Sequence, residues 1–323
     1  GVVSPIAHGR DNYWRSLEEG RNGVGPITLF DASDYSVRIA AEVRDFDPDE
    51  WMDRKDARRA DRVIHFSVAA SELAVRDASL DVKNLDPDRF GVYIGSGEGG
   101  ITTSYEGMKT LLEKGPSRVG PFCVPMMLSN MPAAYVAISQ GAKGPNICVV
   151  TACASATHTM GEAYHTIIRD DADIILAGGA EAALTQVAVA GFAAMRALST
   201  RNDDPSHASR PFDADRDGFV MGEGAGFVLL KRLEDAIKNE DKIYAIISAI
   251  GATSDGKGKG ITAPNPLGQK ESIQKALNAA NANLEDIQYI EAHGTSTSVG
   301  DPAELEVLTE VFKSRQSLSL IHI

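Results

Sequence analysis

Two short stretches of this 323-residue chain carry side chains whose chemistry and setting suit catalysis. In VVTACASATHTMGEA, Cys153 stands where an apolar, strand-like run meets a small-residue segment of helical period. A thiol at a helix N-terminus feels the positive end of the helix dipole and the unpaired N–H groups there, which favour thiolate. Those N–H groups are also ready donors to an oxyanion. On composition alone, a buried structural cysteine is the more frequent explanation of such a residue, and Cys148, in mid-strand, keeps it. The second stretch, Glu291-Ala-His-Gly-Thr-Ser-Thr-Ser-Val-Gly-Asp301, is again a strand running into a polar loop. There His293 is placed to offer a ring nitrogen to a substrate carbonyl, and the hydroxyls of Thr295 and Thr297 to hold an amide-containing ligand. A cysteine and a histidine at the ends of different strands of an α/β sheet are what nucleophilic acyl transfer requires.

Other patterns fail on their own chemistry. Gly95-x-Gly97-x-x-Gly100 follows a strand and precedes a helix, as a dinucleotide fingerprint must. The acidic residue expected about 20 positions on, at a strand end, is missing. The nearest, Glu113, falls in a helical segment, and Glu98 inside the loop would repel phosphate. A glycine-lined turn where backbone approaches a substrate fits better. Asp213-x-Asp215-x-Asp217-Gly218 opens like a calcium loop, but Gly224 occupies the twelfth position, where a bidentate Glu is needed. That acidic cluster, with Arg210 and Arg216, is expected to form an ion-pair corner. His158 and His165 lie too far apart along one helix to share a metal. Lys257 and Lys259 sit in GKGKG without the spacing of a phosphate loop; they are expected to be solvated, with contact to a phosphate-bearing arm as the alternative.

The elements that must position these residues follow from periodicity. Helices are expected over 62–80, 103–114, 154–169 and 271–282, and strands over 90–95, 146–151, 173–177, 224–230, 243–250 and 287–292. Such alternation argues for a layered α/β fold with buried, mostly parallel strands. The charged run Lys231–Lys242 is the expected seam, dividing the chain into 1–241 with the cysteine and 242–323 with the histidine. At 43% apolar and 24% charged, the composition is that of an ordinary soluble protein. A net charge of −13 with no basic tract argues against nucleic acid and anionic membrane as partners. Three cysteines without a CxxC supply no disulfide framework, so a reducing, cytoplasmic setting is expected. The opening GVVSPIAHGR shows no signal peptide, although the chain begins without Met.

TACAS around Cys153, AGGAEAAL, GFAAMRALSTRNDDPSHASRPFDADRDGFVMGEGAG and EAHGTSTSVGDPAE together resemble the β-ketoacyl-acyl-carrier-protein synthases, closest to the synthase II type. The likeness runs from Gly1 to about Phe312. It implies a thiolase-like five-layer αβαβα fold of two related halves, and a homodimer. It also implies a reaction in fatty acid elongation. Cys153 takes an acyl group from a carrier or CoA thioester; malonyl carrier protein then loses CO₂, and its carbanion attacks the acyl-enzyme. His293, as a neutral imidazole, would donate to the oxygen that gathers negative charge. The resemblance further assigns Thr262, Thr295 and Thr297 to the phosphopantetheine arm, Phe192 and Leu128 to the acyl pocket, and Arg196 to contact with the acidic carrier protein. No cofactor is required; a structural monovalent cation is allowed by analogy, with no residues assigned.

Two departures stand out. Glu98 replaces the bulky apolar gate usual in the synthase II type, either swinging to solvent or making the pocket polar. Beyond Phe312 the family continues with a lysine segment, a second active-site histidine and a glycine-rich loop, whereas this chain reads KSRQSLSLIHI. The tail has no counterpart in the family pattern, and the chain as given is expected to be inactive. A ketosynthase of polyketide or specialised lipid synthesis is the alternative. A non-catalytic partner subunit is a further one, against which the presence of Cys153 counts.

Overall fold

A computed structural model describes residues 1–258, 260–313 and 319–321. Lys259 therefore lies outside the described residues. The chain forms two compact units, one of residues 1–31, 40–189 and 222–245, the other of 32–39, 190–221 and 246–323.

The first unit is built on a five-stranded sheet of β1 (Val2–Val3), β2 (Phe90–Gly95), β3 (Asn146–Val149), β4 (Ile174–Glu181) and β5 (Gly224–Lys231). Their spatial order is β1-β5-β4-β2-β3. β2 runs parallel to both neighbours, but β5 runs antiparallel to β4 and to β1. The expectation of a mostly parallel sheet is thus corrected to a mixed one. Apolar patterning reports burial, not direction. Here Gly224 opens β5 opposite Glu181, the residue that ends β4, so the long excursion between them closes like a hairpin.

Helices cover both faces, which is why the inner strands read as continuous apolar runs. Helix α1 (Arg62–Asp77) and helix α3 (Met131–Gln140) pack on one side. There Phe90, Val92, Ile94, Ile174 and Leu176 join Val63, Phe66, Ala70 and Val136 in one core. The alternate residues Tyr93, Ile175 and Ala177 point the other way, toward Ala163 and Ile167 of α4 (Ser155–Ile168). Buried Tyr93 and Thr166 satisfy each other's hydroxyls at 2.8 Å. Buried Asp61 caps α1 through the N–H of Val63 and takes the N–H and hydroxyl of Thr103 in α2 (Ile101–Lys114), so one carboxylate anchors two helix starts. Glu223 makes a fork with Arg62 at 2.6 and 2.9 Å and also accepts the N–H of Val43.

In the second unit, α6 (Pro266–Ala280), capped by the Asn265 side chain, packs against α7 (Gly300–Val311). β6 (Tyr289–Glu291) pairs in parallel with β7 (Ser319–Ile321). The helix α5 (Gln186–Ala194) carries the chain from the first unit into residues of the second. The strand expected over 243–250 does not form. A strand exists only beside a partner, and among the described residues none pairs with this stretch, whose Tyr244 and Ile246 stand about 60% exposed. Among the described residues, no helix is long and apolar enough to cross a membrane.

Candidate active site

β3 delivers the chain into a single turn of 3-10 helix, Ala152–Ala154, from which α4 begins. Cys153 is exposed in that turn, so it is not the buried structural thiol that composition favours. The residue before it, Ala152, has φ +52°, in the left-handed region that a side chain adopts only at a cost of about 1–3 kcal/mol. Buried Ser155 holds the turn closed. Its hydroxyl accepts the Thr151 N–H at 2.9 Å and donates to the Ala152 carbonyl at 2.7 Å. Thr151 Oγ1 lies 2.7 Å from Nδ1 of His158, seven residues on in the first turn of α4. Cys148 is half-buried, its thiol donating to the Ser129 carbonyl at 3.0 Å, and burial pushes its pKa up. That is the behaviour of a packing cysteine.

The glycine loop after β2 lies against this turn. A Cβ on Gly95 would come within 2.5 Å of the Ser155 backbone, so only glycine lets the end of β2 meet the start of α4. The loop's N–H groups do not await a phosphate. Glu181, at the end of β4, accepts those of Gly97 at 2.6 Å and Glu98 at 3.3 Å, and the Ser96 hydroxyl at 3.3 Å. Ser96 Oγ in turn accepts from the Gly99 N–H. Burial pushes the Glu181 carboxyl up, the hydrogen bonds oppose this, and the nearby Glu98 charge adds to it. Glu98 is half-buried, and burial raises its pKa as well. Among the described residues its carboxyl has no hydrogen-bond or ion-pair partner. Leu128, about 40% exposed, follows the short helix Cys123–Met127 in this same unit.

The histidine loop belongs to the second unit. After β6 the chain turns through Gly294 (φ +52°) and Ser296 (φ +62°), the latter another left-handed non-glycine residue. Two carboxylates from α7 fix it. Glu304 accepts the N–H groups of His293 and Gly294 at 2.7 and 2.8 Å. Asp301, 1% exposed, accepts those of Ser296 at 2.9 Å and Phe212 at 2.7 Å, and lies 3.5 Å from Arg216. The acidic segment read as an ion-pair corner therefore buttresses this loop through Arg216, while Arg210 makes a looser pair with Asp213 at 3.9 Å. The backbone leaves the His293 side chain exposed. Thr295 and Thr297 share a hydroxyl–hydroxyl bond of 2.9 Å, and Thr297 Oγ1 also accepts the Gly300 N–H. Phe192 is half-buried, edge-on to Phe219 at 5.5 Å. Arg196 is exposed with φ +55°, and Thr262 is exposed in the turn before α6. Among the described residues, no cluster of three or more His, Cys, Asp or Glu could hold a metal.

Cys153, Glu98 and Leu128 thus share the first unit, and His293, Thr295, Thr297, Thr262, Phe192 and Arg196 the second. The residues that sequence reading passed over are the carboxylates: Glu181, Asp301 and Glu304. Glu181 ends β4 within AGGAEAAL, and Asp301 and Glu304 lie in the first turns of α7 within EAHGTSTSVGDPAE, so they stood inside quoted motifs without a role being read for them.

Comparison with known proteins bears on both halves. The family pattern "Beta-ketoacyl synthase, N-terminal domain" matches residues 1–236, and "Beta-ketoacyl synthase, C-terminal domain" matches 244–323. The chain is 47% identical over 312 residues to 3-oxoacyl-acyl-carrier-protein synthase 2 of Synechocystis sp., covering 96% of this chain and 74% of that protein. The ishigamide ketosynthase/chain length factor superposes with a TM-score of 0.93 at 30% identity, over 100% of this chain and 78% of its own. A type II polyketide acyl-carrier protein in complex with its ketosynthase, bound to the hexaketide, matches at TM-score 0.88 and 26% identity, over 100% and 79%.

Proposed function

This chain belongs to the β-ketoacyl synthase family, and from that premise we propose that Cys153 and His293 carry out a decarboxylating condensation in fatty acid elongation. The fold is thiolase-like and the enzyme is an acyltransferase of the 3-oxoacyl-acyl-carrier-protein synthase II type. The Cys153 thiolate attacks an acyl thioester and expels the carrier thiol, leaving the acyl group on sulfur. The oxyanion formed on the way accepts from backbone N–H groups at the start of α4, that of Cys153 among them. Malonyl carrier protein then loses CO₂, and His293 donates to the thioester oxygen that takes the charge. The carbanion attacks the acyl carbonyl and Cys153 leaves as thiolate, giving a 3-oxoacyl carrier protein longer by two carbons. Each such donor is worth about 3 kcal/mol at the barrier.

The observation that carries the reading is an exposed Cys153 on a strained, hydrogen-bonded turn at a helix start. Thr262, Thr295 and Thr297 would hold the phosphopantetheine arm, Phe192 and Leu128 the acyl chain, and exposed Arg196 the acidic carrier protein. Residues 1–241 would form the cysteine half and 242–323 the histidine half. A homodimer is supported by the edge position of β3, unpaired on its outer side among the described residues, with Ile147 in it and Val150 just after it 41% and 52% exposed. The three free thiols suit a reducing, cytoplasmic setting. Intact-mass spectrometry after exposure to cerulenin or an acyl thioester tests the core of the reading. One adduct on the chain and none on Cys153→Ala supports it; no adduct on the folded chain overturns it. The polyketide or specialised-lipid role is favoured by one observation, the half-buried carboxyl of Glu98.

A further inference from the structure

Resting on the acyl-transfer reading of Cys153, we infer that Glu98 is a specificity-determining residue that selects acyl thioesters bearing a hydroxyl on their first few carbons over plain alkyl ones.

Its place in the fold is the first ground. On one side, a Cβ at Gly97 would sit 3.7 Å from the Ala152 Cα, and Ala152 is the residue before Cys153. On the other, Cβ atoms at Gly99 and Gly100 would sit 2.7 Å from the Cα atoms of Ser129 and Met127, which flank Leu128. Residue 98 is therefore at the crown of a turn clamped between the nucleophile's own turn and segment 126–129. Consecutive Cα atoms lie about 3.8 Å apart, so an acyl chain on Cys153 reaches this crown within its first few carbons.

The second ground is what the carboxyl lacks. Its backbone N–H is taken by Glu181, but among the described residues its side chain accepts from nothing. Burial already raises its pKa, and the neighbouring Glu181 carboxyl is engaged with Ser96 and the Gly97 and Glu98 N–H groups instead. Nor can the turn readily swing away, because Glu181 holds Ser96, Gly97 and Glu98 together. A plain alkyl chain lying here strips water from a carboxyl and returns no hydrogen bond. A chain with a hydroxyl supplies the missing donor. A site that keeps a polar group unpaired rejects the analogue lacking the partner far more strongly than an apolar wall rejects a wrong length.

The test is single-turnover acylation of Cys153, followed by intact mass, with hexanoyl and 5-hydroxyhexanoyl thioesters of N-acetylcysteamine. The expected result is a preference of about tenfold or more for the hydroxylated thioester, lost or reversed in Glu98→Leu and largely kept in Glu98→Gln, whose amide oxygen still accepts. Equal rates on the unsubstituted chain overturn the proposal without any variant being needed. An unchanged ratio in a Glu98→Leu chain that melts cooperatively overturns it too. If neither thioester acylates Cys153, the acyl-transfer reading falls and this inference with it.

Discussion

The Glu304 carboxylate holds the backbone of His293 from beneath, accepting its N–H at 2.7 Å and that of Gly294 at 2.8 Å. The backbone that carries the His293 side chain is thereby held by α7. On the role proposed for His293, Glu304→Ala should lower decarboxylation of a malonyl thioester by about ten- to a hundredfold, the usual loss for a misplaced group. Adduct formation on Cys153 should change little. Measuring the two half-reactions separately checks this, and equal losses in both would point to general unfolding instead.

Ala152 stores strain where glycine would store none. Ala152→Gly should raise stability by about 1 kcal/mol at the turn itself, less the entropy that glycine brings to the unfolded chain. It should also slow acylation of Cys153, because the turn is then free to adopt other conformations. Urea unfolding and intact-mass kinetics on one preparation read both effects. A variant both less stable and equally fast would show the left-handed turn to be incidental.

Burial raises the Glu98 carboxyl above its ordinary range, which fixes the sign of its pH dependence. A carboxyl that binds its proton more tightly folded than unfolded supports folding at low pH and withdraws that support as pH rises through its raised value. Glu98→Gln has no such group to ionise. The variant should melt with the parent near pH 4 and above it at pH 7 to 8, the gap opening between, from the ordinary carboxylate pKa of about 4.3 upward. Melting curves across that range decide it; a gap that closes as pH rises contradicts the sign.

Glu223 lies in the GEGAG run, just before β5. In the fold its side chain is fully buried and forked to Arg62. Arg62→Met should cost about 3–5 kcal/mol, since it leaves a buried carboxylate unpaired. The double substitution Arg62→Met with Glu223→Gln should recover part of that loss, as a double-mutant cycle in urea would show.

What the sequence determined by itself was local. Phe90–Gly95 fell where its apolar run placed it, and α2, α4, β3 and β6 began or ended within a few residues of their periodic segments, because a buried strand or a one-faced helix writes its period directly into the chain. Cys153 and His293 could be singled out as candidates for a related reason: reactive side chains at strand ends need little context to be noticed. The direction of β5, the missing strand at 243–250 and the carboxylates under both loops were not legible. Strand direction and pairing depend on which segments meet, and the same apolar residues serve either sense. Glu181, Asp301 and Glu304 stand inside the quoted motifs, but they act through backbone N–H groups that carry no residue identity, so the motifs did not disclose what they hold. Only tertiary structure brought those carboxylates to the N–H groups they hold, and so separated the residues that could react from the residues that keep them in place.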